Sequence, residues 1–180
     1  MGPPRKLVMD NKLKNYLDQL IHKTRLRFPS FDKNSSINAE VLAILQDPGN
    51  SGAEISLECS LNNNDPTAKR QREIIRKCNI EEEKLLMWNF YSAFDLEINK
   101  LKQKDKIFWA EQVDTLIESM PRLKIIIVFG KKAWEGMYYI KNKKRVSIVS
   151  APHPSNRGMT QVGAKNKLLD AWKSVHKAIY

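Results

Sequence analysis

Apolar residues at Leu13, Tyr16, Leu17, Leu20 and Ile21 recur every three or four positions, so residues 10–27 are expected to form an amphipathic helix that Pro29 ends. The pattern then changes. After a polar stretch from Ser30 to Asn38, which reads as a linker, Glu40 to Leu45 is a short, nearly continuous apolar run that halts at Asp47-Pro48-Gly49. That is the pattern of a strand buried on both faces and entering a tight loop. Asp65-Pro66 supplies an N-cap and a first-turn proline for a helix from Thr67 to Lys77. A second apolar run, Leu85 to Trp88, stops at Asn89, and Ile107, Trp109, Val113, Leu116 and Ile117 mark a helix that Pro121 closes. Leu123 to Gly130 is the strongest strand, followed at once by Lys131, Lys132 and a helix through Tyr138. Val146 to Val149 makes a fourth strand running into Ala151-Pro152-His153-Pro154-Ser155. Beyond it, Leu168, Leu169, Trp172, Val175 and Ile179 share one face of a C-terminal helix.

Strands that alternate with helices predict an α/β protein, a three-layer α/β/α fold around a mostly parallel four-stranded central sheet. In such sheets ligands bind beyond the carboxyl ends of the strands. Three loops are thereby selected: Gln46 to Asn50, Asn89 to Tyr91, and His153 to Arg157. A chain of 180 residues is expected to form one domain, with residues 1–40 as an N-terminal helical extension.

Composition narrows the class of partner. The chain holds 31 Lys and Arg against 20 Asp and Glu, and the imbalance is segregated: residues 131–180 hold 11 basic and 2 acidic side chains. A solubilising surface needs no such segregation, so a polyanion is the expected partner, with nucleic acid ahead of a membrane surface. No run approaches the roughly 20 apolar residues of a membrane span, and no signal-peptide pattern is present, so a cytoplasmic protein is expected. Two cysteines, Cys59 and Cys78, and three scattered histidines give neither a disulfide framework nor a metal-ligand cluster. No metal and no cofactor are expected. Gly130-Lys131-Lys132 lacks the glycine-rich run of a phosphate-binding loop, which disfavours phosphoryl transfer.

The selected loops carry a carboxylate (Asp47), an amide (Asn89), an imidazole (His153) and a hydroxyl (Ser155). A carboxylate can position or activate water, an imidazole can donate to a departing anion, and an amide can read a base edge. The set suits hydrolysis on a nucleotide.

The order LQDPG, LLMWN, IIIVFG and HPS resembles the uracil-DNA glycosylase superfamily, and NNNDPTA (Asn62 to Ala68) is similar to a stretch found in some bacterial members. The resemblance runs from about Val41 to the C-terminus. It implies a DNA glycosylase that leaves an abasic site, with DNA as partner and a flipped base in the pocket. By position, Asp47 matches the acidic residue that positions water and stabilises positive charge on the deoxyribose, and His153 the histidine that bonds O2 of the departing pyrimidine. Asn89 matches the amide that reads the base, within a pocket formed with Gln46, Pro48, Gly49 and Leu61. Ser155 matches the hydroxyl on a phosphate. Asn156, Arg157 and Met159 extend that DNA-binding loop, and either Arg157 or Met159 fills the gap left by the base. Lys131, Lys132 and Lys141 to Arg145 are expected on phosphates.

Departures from the strict uracil pattern concern the base. Where uracil-specific enzymes carry Tyr after Asp-Pro, this chain has Gly49, which implies room for a group at C5. Leu61 stands near the place of a stacking Phe, so stacking is weaker or comes from Phe90 or Tyr91. Asn89 accommodates uracil or cytosine according to how its amide is turned. The expected activity is removal of uracil or a 5-substituted pyrimidine, in repair or in defence against phage with modified DNA. The alternative is a catalytically silent module that binds DNA or a modified base. A monomer is expected.

Overall fold

Nearly continuous apolar runs become strands whose residues are almost all buried: β2 (Val41–Leu45), β4 (Leu85–Asn89) and β5 (Ile125–Phe129). β6 (Ser147–Ala151) lies at the sheet edge and leaves Ser147 and Ser150 exposed. The computed structural model describes residues 9–142 and 146–180. Its main sheet has the order β4-β2-β5-β6, and every neighbouring pair is parallel. All four carboxyl ends therefore lie along one edge. At the other end, Glu40 fastens the register: its carboxylate pairs with Lys84 at 3.0 Å and with Lys124, the residues just before β4 and β5.

Helices cover both faces. α1 (Asn11–Thr24) is capped by Asp10 and buries Leu13, Tyr16, Leu17 and Leu20. It ends earlier than the expected residue 27, because Arg25 adopts a left-handed conformation with φ 61° and closes the helix before Pro29 is reached. The Tyr16 hydroxyl donates to the Gln112 carbonyl at 2.9 Å, tying α1 to α4 (Gln103–Ser119). α4 also packs against α5 (Lys131–Gly136), which is shorter than expected and passes into a 3-10 turn over Met137–Tyr139. α3 (Pro66–Lys77) starts where Asp65-Pro66 predicts, with the Asp65 carboxylate accepting from the N–H groups of Thr67 and Ala68. α6 (Ala164–Ile179) packs on β5 and β6 and against α3.

The Ser30–Asn38 segment is more than a linker. β1 (Ser30–Phe31) pairs in parallel with β3 (Glu58–Cys59), which follows the short helix α2 (Ala53–Ser56). Phe31 is buried and stacks on Trp88 with ring centroids 4.0 Å apart. Leu13, Leu20, Phe31 and Ile37 thus belong to the same core as the sheet strands. Two-residue strands show no periodicity, and only the long-range pairing reveals them. Among the described residues, no helix is long and apolar enough to cross a membrane.

Candidate active site

Backbone hydrogen bonds hold the strand ends together. The N–H groups of Phe90 and Tyr91 donate to the carbonyls of Leu45 (2.8 Å) and Gln46 (3.0 Å), and the Gly130 N–H donates to Ala151 at 2.9 Å. A cavity opens at this edge, and Asp47, Gly49, Leu61, Asn89 and His153 all stand in its wall. Residues from positions 47 to 153 of the chain are brought together because parallel strands deliver every following loop to the same edge.

Asp47 lies two residues beyond the end of β2. Its Oδ1 accepts from the Gln46 amide at 2.8 Å, which gives Gln46 a supporting place behind the carboxylate instead of one in the cavity wall. Burial raises the Asp47 pKa above its ordinary value, opposed by that hydrogen bond. Gly49 is exposed at the mouth, and a Cβ added there would meet nothing within 4 Å. Pro48 is buried and lies outside the wall.

His153 has a defined tautomer. The Ser155 N–H donates to His153 Nδ1 at 3.2 Å, so in the neutral ring the proton sits on Nε2. Burial lowers the His153 pKa, with the Asp65 charge acting in the opposite direction. Two glycines make room for this loop. Gly130 has φ 84°, and a Cβ on it would lie 3.3 Å from the His153 Cβ; a Cβ on Gly158 would overlap the His153 carbonyl. Arg70 of α3 braces the loop from below, donating to the Pro154 carbonyl and, at 3.0 Å, to Asn156 Oδ1. Asn156 is thereby engaged within the protein. The Ser155 hydroxyl accepts from the Gly158 N–H at 3.1 Å.

Asn89 is buried at the end of β4, its amide nitrogen 3.6 Å from Cys59 Sγ. Burial pushes the Cys59 thiol up to about 12, so it stays protonated at neutral pH. Phe90 and Tyr91 are buried outside the cavity wall, and Phe90 packs where a side chain on Gly136 would otherwise sit. Neither ring stacks over the cavity, so Leu61 is the apolar side chain there among the residues singled out from sequence.

Among the polar wall residues not named as site residues from sequence are Asn63, Asp65 and Gln71. Asn63 and Asp65 belong to NNNDPTA, and Asp65 had an adequate explanation as a helix cap. It has a second aspect, since its other carboxylate oxygen faces Gly52 so closely that a Cβ there would overlap it. Gln71 accepts from the Trp172 indole N–H at 3.0 Å, while its own Nε2 is buried with no partner. No local sequence signal marks that amide.

At the rim, Arg157 is exposed and Met159 packs partly against the core. Lys131 is exposed, 3.8 Å from Glu135, and Lys132 is half-buried. Lys143, Lys144 and Arg145 lie outside the described residues, as do residues 1–8. Among the described residues, no group of three or more His, Cys, Asp or Glu side chains is placed to hold a metal ion.

The family model for the uracil DNA glycosylase superfamily matches residues 32–175, a span that contains Asp47, Asn89 and His153. The chain belongs to this superfamily. Among solved structures, wild-type SMUG2 of Pedobacter heparinus is similar at 15% identity with a TM-score of 0.48, over 99% of this chain and 87% of that one. No curated protein matches. The superfamily match begins nine residues before Val41, where the motif resemblance starts, and so takes in core residues such as Ile37. The chemistry common to uracil-DNA glycosylase relatives is hydrolytic release of a base from DNA, and the cavity at the carboxyl edge is where this member has its acid, amide and imidazole.

Proposed function

We propose that this chain is a monofunctional DNA glycosylase that releases uracil or a 5-substituted pyrimidine and leaves an abasic site. The observation that carries the reading is the convergence of Asp47, Asn89 and His153 on one cavity whose mouth is left open at Gly49. A base inside a duplex cannot reach such a cavity, so the target nucleotide is flipped out or taken from a single strand.

In this reading the bond between C1′ and the base nitrogen breaks, and the electron pair leaves with the pyrimidine. His153 Nε2–H donates to O2, where that charge gathers; a neutral imidazole suffices, and burial keeps it neutral. The sugar becomes oxocarbenium-like. The Asp47 carboxylate stabilises its positive charge and orients a water whose oxygen bonds to C1′, while the water proton passes to the carboxylate and then to solvent. Gln46 holds the carboxylate in place. Asn89 reads the pyrimidine edge, and Asn63, Asp65 and Gln71 add polar contacts deeper in the wall. Arg157, exposed beside the cavity, fills the space left in the stack, and Ser155, Lys131 and Lys132 hold phosphates.

The open position at Gly49 supports a substrate larger than uracil. Excision of uracil would serve repair; excision of a bulky modified cytosine would serve defence against phage with modified DNA. Oligonucleotides bearing uracil, thymine, 5-hydroxymethylcytosine or its glucosylated form, incubated with the protein in chelator and then treated with alkali, distinguish these roles. Strand breaks at one of the bases are expected. If no base gives alkali-labile sites while the protein binds DNA, the chain is a binding module.

A further inference from the structure

Of the four tryptophans in the chain, Trp88, Trp109 and Trp172 are buried and belong to the core, whereas Trp134 is 46% exposed. Trp134 stands on α5, which starts immediately after β5 at the same edge as the active-site cavity. It lines a second, wider groove together with Lys131 and Lys167. His153 is part of the wall of both this groove and the base cavity. The groove therefore adjoins the base cavity at His153.

Its chemistry favours one occupant. An indole face stacks on any nucleobase, and lysines carry phosphates without regard to sequence. The segment that forms most of the groove holds 11 basic and 2 acidic residues between positions 131 and 180. Of the two acids, Glu135 lies 3.8 Å from Lys131 in an exposed pair that a phosphate can replace, and Asp170 is in the groove wall. A paired base already has stacking neighbours on both sides within the duplex, so an indole beside the strand gains a partner only from an unpaired base.

We propose that Trp134 stacks on an unpaired nucleobase adjacent to the flipped nucleotide, making the groove between α5 and α6 a track for single-stranded DNA. The proposal rests on the reading of the neighbouring cavity as the base pocket. Its test, however, needs no base release.

The full chain is titrated with a short oligodeoxyadenylate, which contains no pyrimidine, and with a duplex of ordinary bases, following tryptophan emission and affinity. The single strand is expected to quench emission, and Trp134→Phe to abolish the quenching while keeping affinity within about threefold, since a ring remains. Trp134→Ala is expected to weaken single-strand binding about tenfold and duplex binding less than about twofold. Quenching that persists in Trp134→Phe would overturn the proposal, as would equal loss on both DNA forms, or no loss on either, in Trp134→Ala. Should the alanine variant fold poorly, the quenching result with Trp134→Phe decides the matter. Single-strand binding through Trp134 without base release on any substrate would uphold the track and count against the glycosylase reading.

Discussion

The indole N–H of Trp172 donates to the side-chain oxygen of Gln71 at 3.0 Å, joining α6 to α3 across 101 positions of sequence. An indole N–H can only donate, so the Gln71 atom facing it is the oxygen and the amino group must point elsewhere. There it is buried, without a partner, in a residue of the cavity wall. A buried N–H left unmet costs about 1–3 kcal/mol, which an acceptor on a bound base would relieve.

Replacing Gln71 by Leu should therefore lower kcat/KM for base release about tenfold, beyond any effect on folding. The check is single-turnover release at a temperature where both proteins are folded by circular dichroism. A rate equal to wild type would remove Gln71 from the reading of the base.

Asp47 links activity to stability. Its pKa in the folded protein is raised, so folding favours the protonated form, and stability from this site is lost as pH rises through the folded value. Asp47→Asn is expected to melt at a higher temperature than wild type at pH 7, and the difference should vanish in acid, where wild type also carries a neutral side chain. Base release should fall a hundredfold or more. Melting curves across pH, paired with release rates, test both halves; a less stable Asn variant at pH 7 would show that the ionised carboxylate is not penalised by its surroundings.

For His153, burial places protonation below the ordinary 6.5, and the neutral ring already has its proton on the nitrogen that donates. The release rate should accordingly rise with pH through the Asp47 titration, above the ordinary 3.8 of an aspartate, and stay level from about pH 7 upward. A rate that declined between pH 6 and 8 would mean that the imidazolium is the working form. His153→Gln, which keeps a donor, should retain more activity than His153→Ala.

Gly49→Tyr meets no steric obstacle at its Cβ and should fold normally. It is expected to reduce release of 5-substituted pyrimidines more than tenfold while changing uracil release less than about threefold. Uniform loss across substrates would argue against Gly49 as the opening for C5 groups.

At the rim, Arg157 is exposed, whereas Met159 is partly packed on the core. Arg157→Ala should impair release from duplex DNA more than from single strands and leave the melting temperature unchanged. Met159→Ala should mainly lower the melting temperature, by removing buried methylene contacts. The reverse result would assign the wedge to Met159.

Local sequence was enough for the main strands, because β2, β4 and β5 are covered on both faces and need nearly unbroken apolar runs. Asp65-Pro66 announced α3 because capping and a fixed proline φ are local effects. The motif residues Asp47, Asn89 and His153 were also legible, each lying on the loop just past a strand or at its last residue. Other features depend on residues far apart in the chain. β1 and β3 are two residues each and exist through pairing with one another. The burial of Phe90 and Tyr91, the open amide of Gln71 and the exposure of Trp134 depend on which face of each element meets its neighbours. Periodicity and turn chemistry act over a few residues and so decide the elements and their ends; which polar groups are left without partners around a cavity is decided only when distant segments pack.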